Sequence, residues 1–148
     1  MPSELTLATV NKRALSAFID YFCYIMFHAL FLIQFGKETT VADGRPSYEL
    51  EGALNIIPFI IWILTFPVIE SMEGKSLGKK ICNLTVIKRD GSRLTFMDCM
   101  KRRICDWIDF AIFGLPAIIC ATNTPLRQRL GDMWAKTVVI DSVPPRTE

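Results

Sequence analysis

Two long stretches of this chain are almost free of charge, and nothing else in the sequence limits its fold so sharply. Between Ala14 and Phe35 the one charged residue in 22 positions is Asp20, and between Ala53 and Ile69 there is none in 17. A third, shorter stretch from Phe110 to Thr124 is also uncharged. Elements that cover a soluble core alternate apolar and polar residues with helix or strand period, whereas these runs are apolar all round. The length of 148 residues sets one domain. Its 51% hydrophobic content excludes disorder, and a net charge of +2 gives no footprint for nucleic acid. Five cysteines, an odd count without framework spacing, exclude a secreted disulfide scaffold. The class that remains is an α-helical, multi-pass membrane protein embedded in a lipid bilayer.

The first run, residues 14–35, spans about 33 Å as a helix, enough for a hydrocarbon core of roughly 30 Å. It is too long for a signal peptide, carries Asp20, and has no small-residue cleavage site after it. The second run, residues 53–69, sits at the short end of a spanning helix, and Pro58 and Pro67 are expected to kink or end it. A third segment over about 103–122 is interrupted at Gly114-Leu115-Pro116.

Lysine and arginine set the orientation. Nine of them lie between Glu70 and Asp106, against two in the loop of residues 36–52. The long basic loop is therefore expected in the cytoplasm with the N-terminus, facing anionic lipid headgroups. A full third crossing would export Arg127, Arg129 and Lys136, so a re-entrant hairpin is favoured. The loop also holds alternating apolar runs around Asp90-Gly91, a β-hairpin signal over about 81–96. A further β-rich run, residues 136–142, would join that hairpin in a small cytoplasmic β element if both lie on one membrane face.

Residues 12–22, KRALSAFIDYF, echo residues 101–111, KRRICDWIDFA. Arg13 and Asp20 are seven apart, about 20° from facing the same way on a helix, and Arg102 and Asp109 repeat the spacing. A carboxylate two turns inside a membrane helix must be paired, hydrated or neutralised. One reading is a structural ion pair between helices, Arg13 with Asp109 and Arg102 or Arg103 with Asp20. The other is a protonatable or cation-binding carboxylate pair on a transport route. His28, about 80° around from Asp20, is a secondary candidate for a proton relay.

These features, taken in order, resemble the RDD family of bacterial membrane proteins. The resemblance rests on Arg13 and Asp20, on the loop GKSLGKKICNLTVIKRDG (Gly74 to Gly91, with Gly78 and Lys79), on Arg103 to Asp109 or its Arg102 neighbour, and on QRLGDMWAKTVVI (Gln128 to Ile140). The family's second aspartate is Asp109 or Asp132. Ser76 stands where threonine is usual, and Lys136 where glycine is common. The resemblance implies a bacterial inner-membrane protein, transport-related for a small cation or proton. Two spanning helices enclose no pathway, so transport would need a homo-oligomer; the alternative is a non-catalytic adaptor or subunit of a larger membrane complex.

Other chemistry finds little support. Gly74 to Lys80 has three residues between its glycines where a phosphate loop has four, and Lys80 where a magnesium-binding hydroxyl should stand. The cysteines contain no C-x-x-C pair and His28 is the sole histidine, so no metal or cofactor is expected. No nucleophile, base and orienting group stand at a recognisable spacing, so no enzyme is expected.

Overall fold

The computed structural model describes residues 6–41, 43–111 and 114–142. Helix α1 runs over Val10–Phe35, four residues earlier than expected, because Thr9 caps it: its hydroxyl accepts from the Lys12 amide at 3.4 Å. The helix is inside out compared with one on a soluble core. Phe18, Phe22, Ile25, Leu30 and Ile33 are each more than half exposed, while Arg13, Ser16 and Asp20 are buried.

The loop after α1 holds two strands that no alternation of apolar residues announced. Strands β1 (Lys37–Thr40) and β2 (Pro46–Glu49) pair antiparallel, from Lys37↔Glu49 to Thr40↔Pro46. Gly44 supplies the left-handed residue of the turn at φ 82°.

The second long helix covers Gly52–Glu73, extending past the expected end at residue 69. It opens with a 3₁₀ turn (Gly52–Asn55), continues as α2 (Ile56–Ile63), widens to a π-helical stretch (Leu64–Val68), and closes as α3 (Ile69–Glu73). The widening explains why Pro67 does not end the helix. Proline lacks the amide an α-turn would use, and its ring would strike the carbonyl four residues back; an extra residue in the turn relieves both. One inserted residue also rotates the next turn of helix by about 100°, which brings Glu70 inward. The two helices, with mean hydropathy 1.7 and 2.1, are long and apolar enough to cross a membrane.

The rest of the chain builds a compact cap. It comprises α4 (Leu77–Ile81), β3 (Leu84–Lys88), α5 (Phe96–Ala111), α6 (Leu115–Asn123), α7 (Leu130–Trp134) and β4 (Thr137–Asp141). The hairpin expected around Asp90-Gly91 does not form. Strand β3 pairs antiparallel with β4 instead, and the presumed second arm becomes the cap of α5. There the Thr95 hydroxyl accepts from the Asp98 amide at 3.2 Å and the Asp98 carboxylate accepts from the Thr95 amide at 3.1 Å. Ala8, Leu84, Val86 and Val139 form the small apolar core beneath this sheet.

The third apolar segment starts earlier than expected, at Phe96, and α6 has only nine residues. Gly114 stands at φ 79° before α6, and Pro116 lies in its first turn. Because β3 and β4 lie side by side, the chain between them leaves and returns at one end of the molecule.

A second internal repeat accompanies the helix echo. Leu77-Gly78 and Leu130-Gly131 each open a short helix, followed by a left-handed residue (Asn83 at φ 54°, Lys136 at φ 53°) and then a strand. The β3–β4 register centres on Val86↔Val139, which hold equivalent places in the two copies. A local two-fold axis therefore passes between them. The backbone at Lys136 is left-handed, the conformation that glycine adopts most readily.

Candidate functional site: a buried ion-pair cluster

Where α1, the end of the second long helix, α4, α5 and α7 converge, charged side chains meet away from solvent. Asp132, in the first turn of α7, is fully buried. One of its oxygens accepts from Arg13 Nη2 and from the Arg129 amide at 3.1 Å; the other accepts from Arg102 Nε at 2.8 Å. Glu70, also buried, accepts from Arg102 Nη1 on one oxygen and from Arg103 Nη2 at 2.7 Å on the other, with Lys79 Nζ at 3.4 Å. Asp106 takes Arg103 Nη1 at 3.2 Å and the Tyr21 hydroxyl at 2.5 Å. Arg129 Nη1 lies 3.2 Å from Asp106 Oδ1 and 3.6 Å from Asp109 Oδ2. The Arg103 guanidinium also covers the Phe66 ring, 4.6 Å from its centroid.

Asp20 is held differently. Its two oxygens accept from the Ser76 hydroxyl at 2.5 Å and the Gly78 amide at 2.7 Å, so the loop before α4 closes over it. Ser76 in turn accepts from Lys79 Nζ at 3.2 Å, tying this contact to the Glu70 ion pairs. Arg13, Lys79, Arg102, Arg103 and Arg129 thus face Asp20, Glu70, Asp106, Asp109 and Asp132, equal numbers of each sign.

Burial alone would raise the Asp132 carboxyl; the guanidiniums of Arg102, Arg13 and Arg129 outweigh it and hold the group well below the usual carboxylate range. Burial pushes the Lys79 ammonium down to about 8, against the pull of Glu70. In a buried cluster each charge depends on its partners: deleting one member leaves the other buried and uncompensated.

The cluster gathers Arg13, Asp20, Arg102, Arg103, Asp109, Asp132 and Lys79, but not in the expected pairs. Arg13 meets Asp132 rather than Asp109, and Asp20 meets Ser76 and Gly78 rather than Arg102 or Arg103. The reason is α7, which carries Asp132 between the two echoed helices, so that Arg13 and Arg102, equivalent in the echo, bind its two oxygens. His28 lies away from the cluster, its ring 6.3 Å from Tyr24. Gly78 matters for its size: a Cβ there would sit 2.1 Å from the Ser16 carbonyl oxygen. Sequence reasoning missed Glu70, Asp106, Arg129, Ser76 and Tyr21 as members. For Glu70 the signal was available, since it is the first charge after eighteen uncharged positions.

The buried ion-pair cluster thus joins several elements at one end of two helices long and apolar enough to cross a membrane. The chain belongs to the RDD family, whose model matches residues 7–136. Family and helices together point to a membrane location. The curated proteins contain no significant match to this chain. Solved structures contain none either.

Proposed function

We propose that this chain is a non-catalytic accessory domain of the bacterial inner membrane, whose ion-pair cluster latches its helices. It would work as a homo-oligomer or as a subunit of a larger membrane complex. The observation that carries this reading is the closure of the cluster. Both Asp20 oxygens are occupied by Ser76 and Gly78, and the two oxygens of Asp132 by arginines, so the carboxylates best placed for ion exchange are already bound. The outward faces of the long helices remain for lipid or a partner. Arg89 and Arg93, exposed in the basic loop, suit anionic headgroups on the cytoplasmic side.

One observation favours transport of a small cation or proton as the second reading: buried Asp109 keeps an oxygen, Oδ1, without a hydrogen-bond partner among the described residues. Reconstitution in proteoliposomes separates the two. The accessory reading expects no pH change driven by sodium, potassium or calcium from folded protein. Ion-driven flux that disappears in Asp109→Asn, with folding intact, would replace it by the transport reading.

The orientation is tested by cysteine substitution and a membrane-impermeant thiol reagent. Asp43→Cys, beside the β1–β2 turn, is expected to react in intact cells. Asp90→Cys and Lys136→Cys are expected to react only after the membrane is opened. Labelling of Lys136→Cys in intact cells would instead mean that the third segment crosses.

A further inference from the structure

A groove of about 680 Å³ runs along α1 towards α6. Its walls are apolar, with Phe18, Phe22 and Ile25 on one side and Ala117 and Ile118 on the other, and its floor is the α5–α7 side of the ion-pair cluster. From Arg13 to Ile25 the wall of α1 extends about 18 Å, charged at one end and apolar at the other. A phospholipid has the same order from headgroup to tail.

The local two-fold axis adds a comparison within the chain. In the first copy, Asp20 has both oxygens satisfied by Ser76 and Gly78 at the start of α4. In the second, Asp109, its counterpart in the helix echo, is 7% exposed, lines the groove, and among the described residues has only the Arg129 guanidinium at 3.6 Å on one oxygen. Its Oδ1 lacks a hydrogen-bond partner among the described residues. Arg129, its side chain 21% exposed, is more accessible than Arg13, Arg102 or Arg103. Asp106 Oδ1 also lacks a hydrogen bond but faces Arg129 Nη1 at 3.2 Å, so the more open acceptor beside this reachable cation is Asp109 Oδ1. A ligand fitting both carries a hydrogen-bond-donating ammonium next to an anion.

We infer that this groove is a binding site for a zwitterionic phospholipid with a primary amine, phosphatidylethanolamine, its ammonium donating to Asp109, its phosphate beside Arg129 and an acyl chain between Phe22 and Ile118. An anionic headgroup without an amine leaves the acceptor empty. A choline headgroup brings positive charge but has no N–H to donate. The inference rests on the membrane reading above and adds the ligand.

The test uses full-length protein extracted from membranes, with membrane association scored separately by fractionation. Unfolding temperature is measured in nanodiscs of phosphatidylethanolamine, phosphatidylcholine or phosphatidylglycerol, and co-purified lipid is quantified by mass spectrometry. The expected result is highest stability in phosphatidylethanolamine. Relative affinity for that lipid over phosphatidylcholine should drop roughly tenfold in Asp109→Asn, the effect of losing one charge-assisted hydrogen bond. Ala117→Trp, at a groove-lining residue that is not itself a member of the ion pairs, should lose the co-purified lipid and keeps the test valid if Asp109→Asn does not fold. Equal stability in the three lipids, a preference for phosphatidylglycerol, or full lipid retention by Ala117→Trp would each overturn the assignment. Any of these from membrane-extracted protein leaves the membrane reading standing, whereas protein found outside the membrane fraction would remove both.

Discussion

Asp132→Asn is expected to destabilise the folded protein severely rather than tune its activity. The carboxylate takes Arg13 and Arg102 on separate oxygens and lies within 3.9 Å of Arg129 Nε, so its loss leaves three guanidiniums around a neutral amide. Removing one partner of a buried ion pair costs about 3–5 kcal/mol. That is a large share of the roughly 5–15 kcal/mol that holds a domain together. The measurement is recovery of monodisperse protein in detergent, together with its unfolding temperature. A variant as abundant and as stable as the wild type would show that the cluster does not hold the helices. The pH dependence has a definite sign. With the folded carboxyl below its ordinary value of 3.8, the stability it contributes is fully present above that pH and is lost as pH falls below it. The asparagine variant should lack this part of the acid-induced decline.

Gly78→Ala should be nearly as damaging, although it adds a single methyl group. The new Cβ would lie 2.1 Å from the Ser16 carbonyl oxygen and 3.1 Å from Asp20 Cγ. The first neighbour is backbone in the second turn of α1 and cannot swing aside, so α4 must move off the helix. The move would break the hydrogen bond from the Gly78 amide to Asp20 and weaken that from Ser76. Overpacking typically costs about 1–3 kcal/mol, and loss of a hydrogen bond to a buried charge adds roughly 1.5–3 kcal/mol. Gly44→Ala is the control, since its methyl would meet open space and the change tests only the strain of a left-handed turn. Thermal unfolding of the two variants side by side gives the comparison. Equal shifts would mean that α4 does not pack on α1 as described.

The apolar helices were legible because their signal is local: seventeen or more residues almost without charge. So was the break at Gly114 to Pro116, where a left-handed glycine precedes a proline. The hairpin around Asp90-Gly91 misled, because its alternation also suits a single strand whose partner, Val138 to Ile140, lies far along the chain. Asp90 and Gly91 do form a turn, but the chain after it is diverted by the reciprocal cap of Thr95 and Asp98. For the charge cluster, residue types were visible and pairings were not. Facing on one helix relates Arg13 to Asp20, yet the contacts that matter run between helices. They depend on the π-helical turn that rotates Glu70 and on the short helix that delivers Asp132, and neither has a periodicity to read.

The distance along the chain between Arg13 and Asp132 also sets a schedule. A ribosome adding roughly 5–20 residues per second exposes the arginine well before its partner exists. The 119 residues from position 14 to Asp132 take roughly 6–24 s to make. During that interval α1 is complete, with Asp20 awaiting Gly78 and Arg13 awaiting the last short helix. Newly made chains therefore pass through a stage in which a long apolar helix carries unmatched charges. Completion of the molecule is marked by the arrival of Asp132, and a chain cut short before it keeps its first arginine unanswered.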